Sequence, residues 1–320
     1  MTNYFTKDTR VAWIAGKSGT ALDIKSFRSH NVDINNVKTG TVNLGANIGG
    51  HIEPGSRPTG RHAAVTFSTE FYGSDTTDLP SSLGALYRAC GLHEVRTEDG
   101  YNYEYAYQMV HAATYMNSDP VDILVHAGGI GQTIDTAAGN AVFNFVAGEV
   151  PTIDWTFIGE INSSFAIPID STALTAFQAQ TTVEPFVSSE FTFASNGSLV
   201  LRSCSFDLGN KISLRPDAVQ AYGYNAPQHV SSAPKFNCVF EAAAFSTTDP
   251  YEAFINETAI AVSFIHENGG GDGHEVLIEL EGKIDQEPTF TDDNGMIVWN
   301  ITLAPITTGT DIFSMTWQSI

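Results

Sequence analysis

Basic residues are scarce in this chain of 320 residues. It has 15 Lys and Arg against 36 Asp and Glu, which gives a formal net charge of −21 at pH 7. Proteins that grip nucleic acid phosphates need a basic surface, because much of their affinity comes from released counterions. The composition therefore excludes an ordinary DNA-binding protein. Hydrophobic residues make up 42% of the chain and aromatic residues 11%, which disordered acidic chains do not have, so we expect a globular fold.

Cysteine is also rare. Cys90, Cys204 and Cys238 are an odd number, without a CxxC pair or a neighbouring histidine cluster. Neither a disulfide framework nor a zinc site is indicated, and we expect all three to be small buried apolar residues. The nine histidines show no HxH or HExxH spacing, so no metal site is predicted.

Long apolar runs are missing as well. No run approaches the roughly 20 residues that span a bilayer, so we expect no membrane insertion. The first residues, 1–7, have neither the basic start nor the apolar stretch of a secretory signal. The expectation is a protein that is made in a cytoplasm and kept there, at least initially.

Motifs of catalysis and cofactor binding are incomplete. Gly16-Lys17-Ser18 resembles the end of a phosphate-binding loop, but Val11 stands where a second glycine is required, which favours a hairpin turn. The glycine-rich segment 127–131 lacks the strand-then-helix context of a dinucleotide fingerprint and is interpreted as a loop within a hairpin. No serine lies in a GxSxG elbow. The sequence predicts neither an enzyme nor a cofactor.

Alternation with period two dominates the chain and predicts a mainly β fold. Segments 63–71, 198–202 and 276–280 show it clearly, and 141–145 with 153–157 can form an antiparallel hairpin. Helix is scarce. The best candidate is 80–91, with a proline in its first turn and Gly91 placed to end it.

Three blocks of the chain recur in the same order, which indicates an internal duplication. The matching segments are 32–36 with 206–210, 65–71 with 236–242, and 153–157 with 297–301. The spacing shortens between the second and third blocks, so we expect a larger helical insertion in the first copy. The predicted domains are 1–175 and 176–320, joined by a segment rich in Ser, Thr, Ala and Gln.

Residues 79–92, 139–159 and 205–210 resemble the helix and the closing hairpin of the major tail tube proteins of long-tailed bacteriophages, of the type with a duplicated tube domain. The resemblance covers most of the chain. It implies two tandem tail-tube-like β-sandwich or barrel domains, each with a short flanking helix. The second copy departs from the pattern, because it has no clear equivalent of the Leu-Tyr-Arg-Ala-Cys-Gly helix.

The resemblance further implies a structural virion protein. Homotrimers would form pseudo-hexameric rings that self-assemble into a hollow acidic conduit for DNA passage and ejection. An acidic bore repels the phosphate backbone, so DNA would pass through the lumen without specific binding. The implied partners are further copies of the chain, a tape measure protein, and the tail terminator and distal tail or baseplate proteins. The implied location is the virion tail, with assembly in the host cytoplasm.

Two sets of assembly residues are implied by this resemblance. The hairpins 123–133 with 142–157, and 276–284 with 290–303, are candidates for the inner barrel, through Ile123, Val125, Val142, Phe145, Ile153, Phe157, Val276, Ile278, Phe290, Ile297 and Ile301. The segments 39–61 and 215–235 are expected to be long loops, and loops of this length are usually functional. The candidates for ring stacking in them are Asn43, Asn47, His51, Arg57, Asp217, Tyr222 and Tyr224.

Other functions remain open at this point. A distal tail or tail terminator protein of the same virion would share most of these features. A β-sandwich that binds carbohydrate or a receptor would need a clustered aromatic platform. The four tryptophans instead lie inside strand patterns, and Trp155 and Trp299 occupy matching positions of the duplication, which favours a role in the core. A hydrolase on an all-β scaffold is the third alternative.

Overall fold

The computed structural model describes residues 10–15, 23–27, 29–43, 56–71, 83–99, 102–110, 119–127, 130–161, 183–187, 190–194, 196–197, 199–242, 249–267, 274–306 and 311–319. The strands, helices, contacts and burial of the protein are those of these residues.

The described residues form nineteen strands and two short helices. The first half contains β1 (Arg10–Ala15), β2 (Asp23–Phe27), β3 (His30–Asn43), β4 (Ser56–Glu70), α1 (Gly84–Ala89), β5 (His93–Asp99), β6 (Asn102–Val110), β7 (Val121–Ala127), β8 (Ile130–Val146) and β9 (Thr152–Ile161). The second half contains β10 (Phe191–Phe193), β11 (Leu201–Asp207), β12 (Asn210–Pro216), β13 (Tyr224–Ser232), β14 (Lys235–Glu241), α2 (Pro250–Ile255), β15 (Ile260–Glu267), β16 (His274–Ile284), β17 (Thr289–Asp293), β18 (Met296–Pro305) and β19 (Asp311–Ser319).

Every strand pairing among these elements is antiparallel, and the mainly β prediction is confirmed. Seventeen strands are connected into one sheet, and β12 with β13 forms a separate hairpin. The predicted hairpins are present: β1 pairs with β2, β7 with β8, and β8 with β9. Alternate residues are buried in strands such as β9 and β14, and this is what the period-two pattern of the sequence encodes.

Eight strands of the large sheet lie side by side in a continuous run. Their order is β3, β4, β9, β8, β11, β14, β18, β17, and each is hydrogen-bonded to the next. We call this run the eight-strand layer. The pairing of β8 with β11 is where the first half of the chain meets the second.

One face of the eight-strand layer carries the aromatic core. Phe67, Trp155 and Phe157 stack on one another on β4 and β9, with ring centroids 5.9 to 6.3 Å apart. The indole Nε1 of Trp155 donates a hydrogen bond to Oγ1 of the buried Thr69 at 2.9 Å. Trp155 and Trp299 are 1% and 3% exposed, which confirms their expected place in the core.

Helix α1 ends where the sequence predicts. Gly91 has φ of +81°, and its N–H donates to the carbonyl of Arg88 while that of Leu92 donates to the carbonyl of Tyr87. These two bonds form a Schellman motif, which favours glycine because its backbone is left-handed. Helix α2 begins as expected after Asp249, whose side chain accepts hydrogen bonds from two backbone N–H groups of the first turn.

The expected difference in helix length is absent from the described residues, because α1 and α2 each contain six residues. After α1 the chain forms the hairpin of β5 and β6, with Asp99 opposite Asn102. The sequence does carry a signal for this hairpin in the alternation of Tyr103, Tyr105 and Tyr107. Its strand β6 also pairs with the last strand, β19.

In their described parts, the segments expected to be long loops are largely strands. Residues 38–43 of β3 pair with residues 56–62 of β4, and we call this extension the first arm. β12 pairs with β13, and we call this hairpin the second arm. Gly40 and Gly60 lie at a register shift of the first arm, and Gly223 lies in the turn of the second arm. The expectation of loops is therefore wrong for the described residues other than the turn 217–223.

Candidate assembly surface

The face of the eight-strand layer opposite the core is polar. Most of its side chains are exposed or half-buried, and serine, threonine, asparagine and aspartate predominate, although Ala64 and Val298 on the same side of their strands are 6% and 3% exposed. The residues are Asp33, Thr66, Ser68, Glu70, Asn140, Val142, Asn144, Val146, Thr152, Asp154, Thr156, Ser203, Ser205, Asp207, Lys235, Asn237, Val239, Glu241, Thr289, Thr291, Asp293, Asn300 and Thr302. We call this surface the polar face.

Side-chain hydrogen bonds connect the polar face from strand to strand. On the first half, Asp154 accepts bonds from Ser68 Oγ at 2.5 Å and from Asn144 Nδ2 at 2.9 Å, which joins β4, β9 and β8. On the second half, Asn237 donates to Ser205 Oγ at 3.4 Å and accepts from Thr302 Oγ1 at 2.8 Å. Polar cross-strand pairs of this kind stabilise a sheet face that is open to water.

The polar face is acidic. It carries six carboxylates and one lysine among the residues named above. Lys235 lies 3.4 Å from Asp285, and the adjacent Arg202 lies 2.6 Å from Glu241, so both cations are engaged by carboxylates. The net field of this face is therefore negative, and it disfavours the approach of phosphate groups.

A polar network lies where the two halves meet. Asp207 Oδ1 accepts hydrogen bonds from Asn140 Nδ2 and from the backbone N–H of Gly209, both at 2.8 Å. Asn210 donates through its side chain to the carbonyl of Cys90 at 2.6 Å, and its backbone N–H donates to Asn140 Oδ1 at 2.9 Å. The network fixes the point where β11 leaves the layer and the second arm begins.

Most residues predicted for the inner barrel lie in the core of the chain. They are 0–2% exposed: Ile123, Val125, Phe145, Ile153, Phe157, Val276, Ile278 and Ile301. Val142 is half-buried on the polar face. Phe290 and Ile297 are 57% and 55% exposed. The hairpins of β7 with β8, β8 with β9 and β17 with β18 are present, whereas β16 pairs with β18 only through residues 282–284 and 303–305. The buried side chains face the core, so a channel walled by β8, β9 and β18 would be lined by the alternate, polar residues of those strands.

The residues predicted for ring stacking are divided between the two arms. Asn43 lies opposite Ser56, and Arg57 lies opposite Val42, at the outer end of the first arm. Asn47 and His51 fall outside the described residues. On the second arm, Asp217 organises the turn by accepting a hydrogen bond from the N–H of Val219 at 2.9 Å.

Tyr222 and Tyr224 join the second arm to the first. The carbonyl of Tyr222 accepts a hydrogen bond from the N–H of Arg61 at 2.9 Å, and the ring of Tyr224 packs edge-on against His62. Gly60 is needed here, because a Cβ at that position would lie 2.6 Å from the Tyr224 ring. These two tyrosines therefore make contacts within the chain.

The second arm also contacts helix α1. His229 Nε2 lies 3.2 Å from the carbonyl oxygen of Ala89. Burial lowers the pKa of His229, and the contact with Ala89 opposes this only in part. The second arm is thus packed across the first half of the chain.

Both arms are basic in an otherwise acidic chain. Residues 36–62 contain Lys38, Arg57 and Arg61 against one glutamate, and residues 208–234 contain Lys211 and Arg215 against one aspartate. This segregation is not evident from the net charge of the chain, but charge counted by segment reveals it. It gives the arms the sign opposite to that of the polar face.

The cysteines are buried and free, as the sequence predicts. Cys204 lies directly opposite Cys238 on the core side of β11 and β14. Burial raises the pKa of all three thiols, so they are poor nucleophiles at neutral pH.

A shallow cleft of about 390 Å³ lies over β15, β16 and β19. Its lining contains Glu279, Glu281 and a single aromatic residue, Phe313, which is 2% exposed. A carbohydrate site needs exposed aromatic rings on which sugars stack, and this cleft offers none of that character.

Within the described residues, no group of His, Cys, Asp and Glu is arranged to hold a metal ion. In the same part of the chain, no helix has the length and apolar character needed to cross a membrane. Comparison with known proteins found no family model that matches the chain and no similar curated protein.

Proposed function

We propose that this chain is a tail tube protein of a long-tailed bacteriophage, with two tandem tube domains. One observation carries the proposal: the eight-strand layer has an aromatic core on one side and a continuous acidic, hydrogen-bonded polar face on the other. Such a layer is suited to the wall of a water-filled channel, because its apolar face packs on the core of the protein while its polar face contacts the water of the channel.

Matching strand orders support the tandem arrangement. The first four strands of the layer run β3, β4, β9, β8, and the last four run β11, β14, β18, β17. In each set the second strand pairs with a strand that carries a central tryptophan, through Phe67 opposite Trp155 and Phe240 opposite Trp299. Outside the layer, β1 pairs with β7 as β10 pairs with β15. Three of these pairs of strands, β3 with β11, β4 with β14 and β9 with β18, overlap the segments in which the sequence repeats.

On this proposal three copies give a ring with pseudo-sixfold symmetry. The polar faces line the bore, where their carboxylates repel the phosphate backbone and let DNA slide. The tape measure protein occupies the same bore during assembly, and the terminator and distal tail proteins bind the ends of the tube. The protein then resides in the virion tail.

The arms are the proposed contacts between stacked rings. Their basic residues complement the acidic body of a neighbouring ring, and this complementarity orients the two rings and raises their association rate. The exposed part of the second arm is its turn, where Val219 is 91% exposed. Tyr222 and Tyr224 are not part of the proposed stacking contact, because both contact the first arm of their own chain.

The experiment is negative-stain electron microscopy across a range of protein concentrations, with light scattering for mass. We expect rings or stacked tubes with a central hole, built on a trimeric unit. A compact monomer at every concentration, or solid aggregates without a hole, would contradict the proposal. A mixture of this chain with purified terminator protein distinguishes a tube protein from a cap protein. Assemblies lengthen as the concentration of a tube protein rises, and they do not lengthen as that of a cap protein rises.

A further inference from the structure

Within the eight-strand layer the two halves of the chain are joined by one strand pairing, that of β8 with β11; outside the layer β6 pairs with β19. Residues 142–146 of β8 lie opposite residues 203–207 of β11, so that the sheet runs on from one half into the other. Phe143 and Phe206 face each other on the core side of this junction, with ring centroids 6.4 Å apart. On the polar side Asn140 bonds to Asp207.

The eight-strand layer ends in two open edges. Of the strands that the structure describes, β3 pairs only with β4, and β17 pairs only with β18. All five residues of β17 are exposed, and so are His30, Asn31 and Asp33 of β3. An exposed edge strand offers unpaired N–H and C=O groups to another strand.

These edges correspond to the two sides of the junction. β17 lies beside β18 as the end of β8 lies beside β9, with Phe290 opposite Trp299 and Ala141 opposite Trp155. The base of β3 lies beside β4 as β11 lies beside β14, and each leads into an arm just after an aspartate, Asp33 or Asp207. Among the described strands the junction is thus made once, and the two edges that could make it a second time are open.

Exposure points to the same missing contact. Ala141 is fully buried, whereas Phe290, which lies at the matching place, is 57% exposed. Met296 and Ile297, on the strand beside it, are 50% and 55% exposed. Three large apolar side chains on one hairpin in water indicate a surface that another protein covers.

We propose that β17 of one copy pairs in antiparallel fashion with residues His30–Ile34 of β3 in a second copy. This contact repeats the junction of β8 with β11 between molecules, and it rests on the proposed tandem tube. Carrying over the register of the junction sets Thr291 opposite Asp33, with Phe290 beside Ile34. Ile34 is partly buried against the core, so Phe290 gains an apolar neighbour.

Such a contact is head to tail, because each copy offers a different edge at each end. Head-to-tail contacts close into a ring when the rotation per copy divides a full turn, and otherwise give open helical filaments. If the contact between copies turns the layer by the same angle as the junction of β8 with β11, and that angle is one sixth of a full turn, three copies close into a ring whose layer has no free edge. This is how the trimeric ring of the proposed tube would close.

The test places a benzophenone side chain at Thr291, an exposed position, and irradiates the full-length protein at a concentration where it assembles. Isotopically heavy and light chains are mixed, so that adducts between molecules are recognised by mass spectrometry. We expect mixed heavy–light adducts between position 291 and the peptide that contains residues 29–34. The matched control carries the same group at Val219, on the second arm, and is expected not to label that peptide.

The outcomes separate this inference from the proposed function. Hollow tubes in which position 291 labels only other segments would overturn the edge pairing and leave the tube proposal standing. Adducts with residues 29–34 in particles that lack a central hole would support the edge pairing and contradict the tube. A protein that stays monomeric at every concentration overturns the edge pairing, and circular dichroism establishes that each labelled chain is folded.

Discussion

Ile153 and Ile297 each lie two residues before a buried tryptophan in matching strands, yet Ile153 is fully buried and Ile297 is 55% exposed. Ile153 lies opposite Phe143 of β8, the strand that pairs with β11 of the second half. Ile297 lies opposite Asp292 of β17, beyond which no described strand follows. The same sequence position is core in one half and surface in the other, because among the described strands β8 has a further neighbour, β11, and β17 has none.

Alanine substitutions at these two positions should therefore differ sharply. Ile153→Ala leaves a cavity in the aromatic core, and we expect the free energy of unfolding to fall by about 2–5 kcal/mol. Ile297→Ala should change it by less than about 0.5 kcal/mol in the monomer and should weaken self-association instead. Urea unfolding at low protein concentration measures the first effect and sedimentation velocity the second. Equal losses of stability would contradict the assignment.

The hydrogen bond between Thr69 and Trp155 offers a second test. In Thr69→Val the shape is kept but the indole N–H loses its acceptor in the core, and we expect a loss of about 1–3 kcal/mol. Thr69→Ser keeps the acceptor and loses only a methyl group, so it should cost about 1 kcal/mol or less. Thermal or urea unfolding of the pair checks this, and a serine variant less stable than the valine variant would show that packing dominates.

Gly209 and Gly148 both have positive φ, at +62° and +81°, but their surroundings differ. A Cβ on Gly209 would collide with the backbone carbonyl of Ala233, whereas a Cβ on Gly148 would meet nothing within 4 Å. Gly148→Ala should therefore cost only the strain of a left-handed alanine, about 1–2 kcal/mol. Gly209→Ala should cost more, and should disturb the network of Asn140 and Asp207. Similar unfolding midpoints for the two variants would count against the clash.

The sequence was a good guide to local structure. Period-two alternation identified the strands around Trp155 and Trp299, and Gly91 identified the end of the first helix. These features depend on neighbours a few residues away, which a sequence displays directly. The arms were misread as loops, because glycine and proline are typical of turns and also occur at register shifts in twisted hairpins.

Long-range pairing was beyond the sequence. Nothing in residues 203–207 indicates that they lie beside residues 142–146, because every alternating strand presents a similar edge. The exposure of Phe290 and Ile297 could not be predicted for the same reason: both fit an apolar strand pattern, and only the absence of a neighbouring strand among the described residues leaves them open. The buried members of the predicted barrel set were identified correctly as strand residues, but the alternate neighbours of those on β8, β9 and β18 form the polar face.

His266 predicts a loss of stability in acid. Its ring is fully buried beside Phe71, Phe145 and Phe186, and neither ring nitrogen has a hydrogen-bond partner among the described residues. Burial lowers the pKa of His266 to about 4 from 6.5. The folded protein therefore holds it neutral, while the unfolded chain takes up a proton below about pH 6.5.

The contribution of His266 is complete above pH 6.5, falls as the pH drops, and levels off near pH 4. The loss over this range should be about 3 kcal/mol. His266→Phe cannot be protonated, so its free energy of unfolding should fall less between pH 7 and pH 4. Urea unfolding of both proteins at several pH values measures the difference. Parallel pH curves for the two proteins would show that His266 does not titrate in this way.

The polar face makes the last prediction, which concerns DNA. Thr66 and Thr156 are exposed cross-strand neighbours on this face, so lysines there add two charges per chain to the proposed bore without removing a carboxylate. We expect tubes of the Thr66→Lys, Thr156→Lys double variant to retain short DNA duplexes at about 50 mM salt and to release them as salt rises, whereas tubes of the native chain retain none. The Ile255→Lys, Thr258→Lys variant is the control, because it adds the same two charges at exposed positions at and just after the end of α2, away from the polar face and from both arms. Retention is measured by co-sedimentation of labelled DNA with the tubes, and equal retention by the double variant and the control would mean that the polar face does not line the channel.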